Sequence, residues 1–233
     1  MKEKRTSHNP WGMLIKDAVF GVNDGIVSML ALVAGLSAAS MTKQVVVISG
    51  FAEAFAGAIS MAIGSYISTK SQVEFMKSEL QTENTALKKT PGLEKEHLRL
   101  IYKKRGLHGK ELDCVVNAII SNKSVWREVM QKEELGFSAT ILENPLRGAL
   151  VMFVAFALAS MVPLVPYLYS TPGPLAFSFS LFNGFVVLFL VGVGKTYFTG
   201  KNKLMSGVEM IVIGGIATAL AYCIGAYLPL LFS

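Results

Sequence analysis

Apolar residues in this chain are gathered into five long runs: Asp17–Ala39, Val45–Thr69, Arg147–Tyr169, Pro174–Phe198 and Gly207–Phe232. A helix needs about 20 mostly apolar residues to cross a hydrocarbon core of roughly 30 Å, and each run meets that length. Between the second and third runs the pattern changes to a charged stretch rich in Glu and Lys, too long for a simple connection. The pattern predicts an all-α polytopic membrane protein with five transmembrane helices and a small helical module between spans two and three. The segments are 1–69, with an N-terminal stretch and spans one and two; 70–146, the module; and 147–233, spans three to five.

Helix signals continue inside the module. Neither Gly nor Pro interrupts the chain from Ser65 to Thr90, so the second span is expected to run on as one rod, stopped by Pro91-Gly92. A helix over Leu93–Arg105 should end at Gly106, with Lys103, Lys104 and Arg105 in its last turn to suit the helix dipole. Helical stretches Lys110–Ser121 and Ser124–Leu135 follow, and Val115, Val116, Ile119 and Ile120 are spaced for burial in a small core.

Composition agrees with the membrane assignment: 52% of the 233 residues are hydrophobic and 16% charged, with a mean hydropathy of +0.48. The net charge of +6 would suggest nucleic acid, but its placement gives a different reading. Of the 22 Lys and Arg residues, all except Lys43 fall before the first span, between spans two and three, or around the connection of spans four and five. By the positive-inside rule the N-terminus and these basic segments are cytoplasmic and the C-terminus lies on the far side. The basic excess also attracts anionic membrane lipid. No nucleic-acid-binding motif accompanies it. The first sixteen residues have no apolar core, which makes the first span the insertion signal. Short termini favour a prokaryotic plasma membrane over a vacuolar one. Cys114 and Cys223 are too few and too separated for a disulfide framework or thiolate metal site.

Four acids lie in or beside the spans: Asp17, Asp24, Glu53 and Glu209. A charge near the bilayer centre costs about 3 kcal/mol or more, so such residues are functional candidates. Asp17, Gly21, Asp24, Ser28 and Gly35 share one helical face; Glu53, Gly57, Ser60 and Gly64 share another, with Met61 beside them. Gly50, Ala54, Ala58 and Ala62 make a small-residue face that permits close helix contact. Counting from the expected span ends puts Asp24 and Met61 at a similar depth, with Glu53 about 12 Å further outward. The alternative for Asp24 and Glu53 is a buried structural hydrogen bond, and for Met61 simple packing. Asp17 reads either as the first step of a ladder that continues through Asp24 with Met61 to Glu53 or as a solvated cap at the membrane edge, and Glu209 reads as interfacial. Carboxylates with a thioether favour Fe²⁺ over Mg²⁺ or Ca²⁺.

These residues resemble a known family. The run Asp17-Ala-Val-Phe-Gly-Val-Asn-Asp-Gly-Ile-Val-Ser28, followed by Ala-Leu-Val-Ala-Gly35, looks like the first span of the vacuolar iron transporter family. Glu53 with Gly57-Ala-Ile-Ser-Met-Ala-Ile-Gly64 and Tyr66-Ile-Ser-Thr-Lys-Ser-Gln72 resembles the second. Ile101-Tyr102, Arg105-Gly106-Leu107 and Glu133-Glu134-Leu135-Gly136 resemble its cytoplasmic metal-binding domain. The resemblance implies a homodimer with its ion path at the dimer interface, exchanging cytosolic Fe²⁺ for protons, with no organic cofactor and no enzyme activity. It implies transport positions at Asp24, Glu53 and Met61 and metal-ligand positions at Glu83, Glu94, Met130 and Glu134. Helical spacing separately puts Glu79 with Glu83, and Met130 with Glu134, one turn apart, although such pairs also occur on solvated faces.

Two positions depart from the family pattern, which has carboxylates where this chain has Ala86 and His97. Ala86 removes an oxygen donor, and His97 offers an imidazole suited to Zn²⁺ or Fe²⁺. The substrate is therefore expected to be Fe²⁺, with Mn²⁺ or another divalent metal as the alternative and Zn²⁺ or Mn²⁺ possible at the cytoplasmic site. A non-transporting metal sensor is a further alternative. An intramembrane hydrolase is disfavoured because Asn23-Asp24-Gly25 lacks the Gly-x-Gly-Asp pattern of intramembrane aspartyl proteases.

Overall fold

A computed structural model of the chain describes residues 11–135 and 144–228, and these are helical almost throughout. The helices are α1 (Trp11–Ala38), α2 (Lys43–Lys89), α3 (Pro91–Lys104), α4 (Gly109–Ile120), α5 (Lys123–Met130), α6 (Pro145–Tyr169), α7 (Pro174–Thr199) and α8 (Lys203–Tyr227), with a π-helical turn at Gln131–Leu135 after α5. Five of them, α1, α2, α6, α7 and α8, are long and apolar enough to cross a membrane. Only helices and closed barrels satisfy every backbone group in lipid, which is why long apolar runs translate directly into helices. The chain forms two compact units, one of residues up to 67 with those from 145 onward, the other of residues 68–144.

In the first unit α1 packs against α6, α7 and α8. Met29, Val33, Val46, Ala54, Leu164 and Tyr167 form one buried cluster between α1, α2 and α6; Ile26, Leu30, Ala159, Leu188 and Met210 form another towards α7 and α8. Outward-facing positions are also apolar: Phe51, Phe55, Ile59 and Ile63 on α2 are all exposed. An exposed apolar helix face is the ordinary condition of a lipid-facing or partner-facing span.

Polar groups close the helix ends. The Lys43 ammonium donates to the Leu168 carbonyl in the last turn of α6 at 2.9 Å, where a cation meets the negative end of the helix dipole. The buried Tyr167 hydroxyl hydrogen-bonds Ser37 of α1 at 2.8 Å. Pro163 and Pro166 stand inside α6, and Ser180 of α7 donates to the Pro163 carbonyl at 2.7 Å.

The second unit has its own core of Leu98, Leu112, Val116 and Met130, with Leu87, Tyr102, Ile119, Ile120 and Trp126 packed around it. Gly106, at φ +94°, ends α3 in a Schellman arrangement: Leu107 N–H donates to the Tyr102 carbonyl and Gly106 N–H to Lys103. Asn122 caps α5 by accepting from Ser124 and Val125. Arg99 pairs with Asp113 at 2.5 Å, and Arg105 pairs with Glu133.

Several boundaries differ from those expected. The first helix is already formed at Trp11, ahead of the expected Asp17, and α8 starts at Lys203 rather than Gly207. The Asn202 side chain accepts from the Leu204 and Met205 N–H groups, so α8 begins at its cap and not at the edge of the apolar window. The expected end of the fifth span, Phe232, lies outside the described residues. α2 ends at Lys89, ahead of Pro91-Gly92 as expected, but α3 starts at Pro91 rather than Leu93: the proline occupies the first turn, where its missing N–H costs nothing. The stretch Ser124–Leu135 is not one α-helix, since it changes to π geometry at Gln131.

Candidate cation path and metal-binding residues

Close contacts fix how α1, α6 and α2 are registered. At Gly25 of α1, a Cβ would lie 2.6 Å from the Phe156 carbonyl oxygen of α6. At Gly57 of α2, it would lie 2.5 Å from the Phe156 ring edge. A side chain at Gly25 would displace backbone and one at Gly57 would displace the buried Phe156 ring; Phe156, 1% exposed, lies between them. A second level lies eight residues along each helix: the Asp17 carboxylate and the Ser65 hydroxyl both lie near Gly148, at 2.7 and 3.7 Å from where its Cβ would sit. A third has Val33 and Leu164 in one cluster, with Leu164 against Gly50.

The sequence candidates can be located on this register. Asp24 is next to Gly25, and Glu53 is one turn from Gly57 towards the α1–α2 connection; its Oε1 lies 3.4 Å from the Gly57 Cβ position. Met61 is one turn from Gly57 in the other direction. At 1.5 Å per residue, Glu53 stands about 8 Å from the level of Asp24 along the helix axes and Met61 about 5 Å on its other side. The spacing of Asp24 and Glu53 is shorter than the 12 Å counted from span ends, because the contacts at Gly25 and Gly57 fix the register. Asp24, Glu53 and Met61 are all half-buried. Glu53 and Met61 share the face of α2 that carries Gly50, Ala54 and Gly57 into the bundle.

Asp17 is not a solvated cap. It is buried at 7% exposure, with the exposed Lys16 ammonium 4.0 Å away. The absence of a side chain at Gly148 leaves room for its carboxylate. Glu209 does behave as a surface group, exposed and hydrogen-bonded by Lys195 of α7 at 3.2 Å. Phe156 escaped sequence reasoning, although Gly25 and Gly57 signalled that a bulky group approaches. Asn23 did as well: its amide oxygen is buried and has no hydrogen-bond partner among the described residues.

In the second unit the expected ligand positions are only partly brought together. Glu83 is buried and Glu79 half-buried on the last turns of α2, where the neighbouring Asn84 accepts from the buried Gln131 of the π turn at 3.5 Å. That contact and the packing of Leu87 with Met130 put the Glu83 turn beside the segment carrying Met130. Met130 itself is fully buried in the apolar core. Glu94 is half-buried and His97 exposed, one turn apart on α3. The Glu134 side chain lies outside the described residues. Among the described residues, no three His, Cys, Asp or Glu side chains converge as a metal site.

Five apolar helices, with carboxylates at successive depths on α1 and α2, define an integral membrane protein with acidic groups inside its spans. The chain belongs to the VIT family, whose model matches residues 15–226. It is 33% identical over 217 residues to vacuolar iron transporter 1 of Arabidopsis thaliana, covering 93% of this chain and 87% of that relative. It is 32% identical over 222 residues to vacuolar iron transporter 1 of Eucalyptus grandis, covering 95% and 89%. A vacuolar iron transporter of Toxoplasma gondii is 31% identical over 225 residues, covering 93% and 74%.

Proposed function

We propose that this protein is a proton-coupled Fe²⁺ transporter that moves Fe²⁺ out of the cytoplasm in exchange for protons. The observation that carries the reading is the register of α1 and α2, in which Met61, Asp24 and Glu53 follow one another within about 12 Å of depth. The names of the relatives supply the metal. Met61 would add a soft donor that discriminates against Mg²⁺ and Ca²⁺, while Asp24 and Glu53 supply charge. A carboxylate that takes a proton releases its metal, so metal and protons compete for the same oxygens. If the site opens to one side at a time, that competition suffices for antiport.

The remaining assignments belong to the same reading. The N-terminus and residues 70–146 are cytoplasmic, and the C-terminus is on the far side, a reading supported by the distribution of Lys and Arg. Two copies meet through α2 and the path runs at that interface, so the α2 face carrying Glu53 and Met61 is shared with the partner copy, while the exposed Phe51, Phe55, Ile59 and Ile63 offer further apolar contact to the partner or to lipid. Residues 70–146 form a metal-binding module drawing on Glu79, Glu83, Glu94, His97, Met130 and Glu134. The membrane is the plasma membrane in a prokaryote and the vacuolar membrane in a eukaryote. Ala86 and His97 favour a second reading, in which the physiological cargo is Mn²⁺ or another divalent metal, with Zn²⁺ or Mn²⁺ at the module.

The test is metal uptake into proteoliposomes with an acidic interior. Flux should depend on the pH gradient, and Asp24→Asn should abolish it while the protein remains folded. Equal flux without the gradient would sink the coupling, and wild-type flux in Asp24→Asn would sink the site. Competition among Fe²⁺, Mn²⁺ and Zn²⁺ in the same vesicles decides the cargo. Binding without flux under every gradient would make the protein a sensor.

A further inference from the structure

The turn between α7 and α8 combines exposed cations with large exposed apolar side chains. Lys201, Asn202 and Lys203 at its tip are exposed. Around them Tyr197, Phe198, Leu204 and Met205 expose 72%, 66%, 66% and 76% of their surface. The turn is fixed by its own bonds: Gly200 takes φ +67° to end α7, and the Asn202 side chain caps α8. Large apolar side chains are thus displayed on a defined turn beside two cations.

Charge at this end is unevenly matched. Lys195 is hydrogen-bonded to Glu209, so that pair is neutralised. Among the described residues, Lys201 and Lys203 have no carboxylate partner. The Lys203 ammonium instead lies 4.7 Å from the centroid of the Tyr197 ring. A cation held on an aromatic face keeps its charge available to an anion on its open side.

Helix length sets the depth of the turn. α7 has 26 residues and α8 has 25, which at 1.5 Å per residue gives nearly 40 Å, more than a hydrocarbon core of roughly 30 Å. The ends of both helices therefore reach the headgroup layer, where aromatic rings and snorkelling lysines concentrate.

We propose that the α7–α8 turn binds the headgroup of an anionic phospholipid, with Lys201 and Lys203 taking the phosphate and Tyr197, Phe198, Leu204 and Met205 lying against the acyl chains. Charge complementarity selects this occupant. A zwitterionic lipid brings its own cation to the lysines, and a second copy of the turn would bring two more lysines. The site stands on the spans and their ends, and requires neither the direction nor the substrate of transport.

The test uses the full chain in detergent micelles, with Tyr197→Trp as a reporter, read as the fluorescence it adds over the native tryptophans. Brominated phosphatidylglycerol should quench it at lower mole fraction than brominated phosphatidylcholine, with each lysine worth about a five-fold preference. Lys201→Gln with Lys203→Gln should abolish the preference, and the corresponding double Arg variant should keep it. If the double Gln variant failed to fold, Lys201→Gln alone should remove about half of the preference on a logarithmic scale. Equal quenching by the two lipids, or a preference that survives neutralisation, would overturn the proposal. So would relief of the quenching by soluble glycerol phosphate, which would mark a site for free phosphate esters. A loss of preference accompanied by dissociation of an oligomer would overturn it too, assigning the turn to contact between copies.

Discussion

Gly25 and Phe156 touch backbone to backbone: α1 approaches α6 so closely that a methyl group on Gly25 would lie 2.6 Å from the Phe156 carbonyl oxygen. Asp24 is the adjacent residue, so the contact that locks the two helices also fixes the depth of the central carboxylate.

Gly25→Ala should therefore destabilise the membrane unit, because a backbone oxygen cannot rotate out of the way as a side chain could. Overpacking of this kind costs about 2 kcal/mol. Gly194→Ala, where nothing lies within 4 Å of the new methyl, is the control and should be neutral or slightly stabilising. Thermal unfolding of the two variants in one detergent distinguishes them. Matching midpoints would contradict the contact.

The hydrogen bond between Ser37 and Tyr167 should appear as coupling between the two residues. Tyr167→Phe removes one partner at a cost of about 1 kcal/mol. Ser37→Ala should cost more, since it leaves a buried phenol hydroxyl unsatisfied. With both changes the total should be less than the sum, and a double-mutant cycle read by unfolding measures the difference.

Much of the membrane architecture was legible in the sequence, and particular residues show where legibility stopped. Five apolar runs became five helices because lipid leaves the backbone no other choice. Gly57 was visible as part of the face it shares with Glu53 and Gly25 as part of the first-span motif, yet their shared neighbour Phe156 was not, because one sequence does not reveal which helices meet. Asp17 looked like an edge residue for the same reason: its burial depends on Gly148, more than a hundred residues away. The start of α8 was misplaced because an apolar window ignores the cap at Asn202. In the second unit, spacing revealed the end of α3 at Gly106 but not the π turn, which has no sequence periodicity of its own.

Competition between metal and protons gives a definite sign for pH. Protonated Asp24 and Glu53 bind no metal, so apparent metal affinity should weaken as the loading side is acidified through the carboxylate range. Flux at a fixed, limiting metal concentration should rise with loading-side pH and with acidity on the far side. Initial uptake rates over a pH series give the answer, and a pH-invariant apparent affinity would count against carboxylate binding.

His97 and Ala86 should control the metal preference of the second unit. His97→Glu combined with Ala86→Glu replaces an imidazole and a methyl by oxygen donors, shifting preference from Zn²⁺ towards Mn²⁺. Calorimetric titration of the full chain with each metal, before and after substitution, tests this. An unchanged ratio would place both residues outside any metal site.

The contacts at Asp17–Gly148 and Gly25–Phe156, followed by Val33 and Leu164 in one buried cluster, recur every eight residues, about 12 Å apart along the helices. They act as teeth. To slide past α6 and mesh again, α1 would have to move a whole tooth, and intermediate positions would force glycine against bulky side chains. Packed interfaces of this kind switch between discrete arrangements rather than creeping.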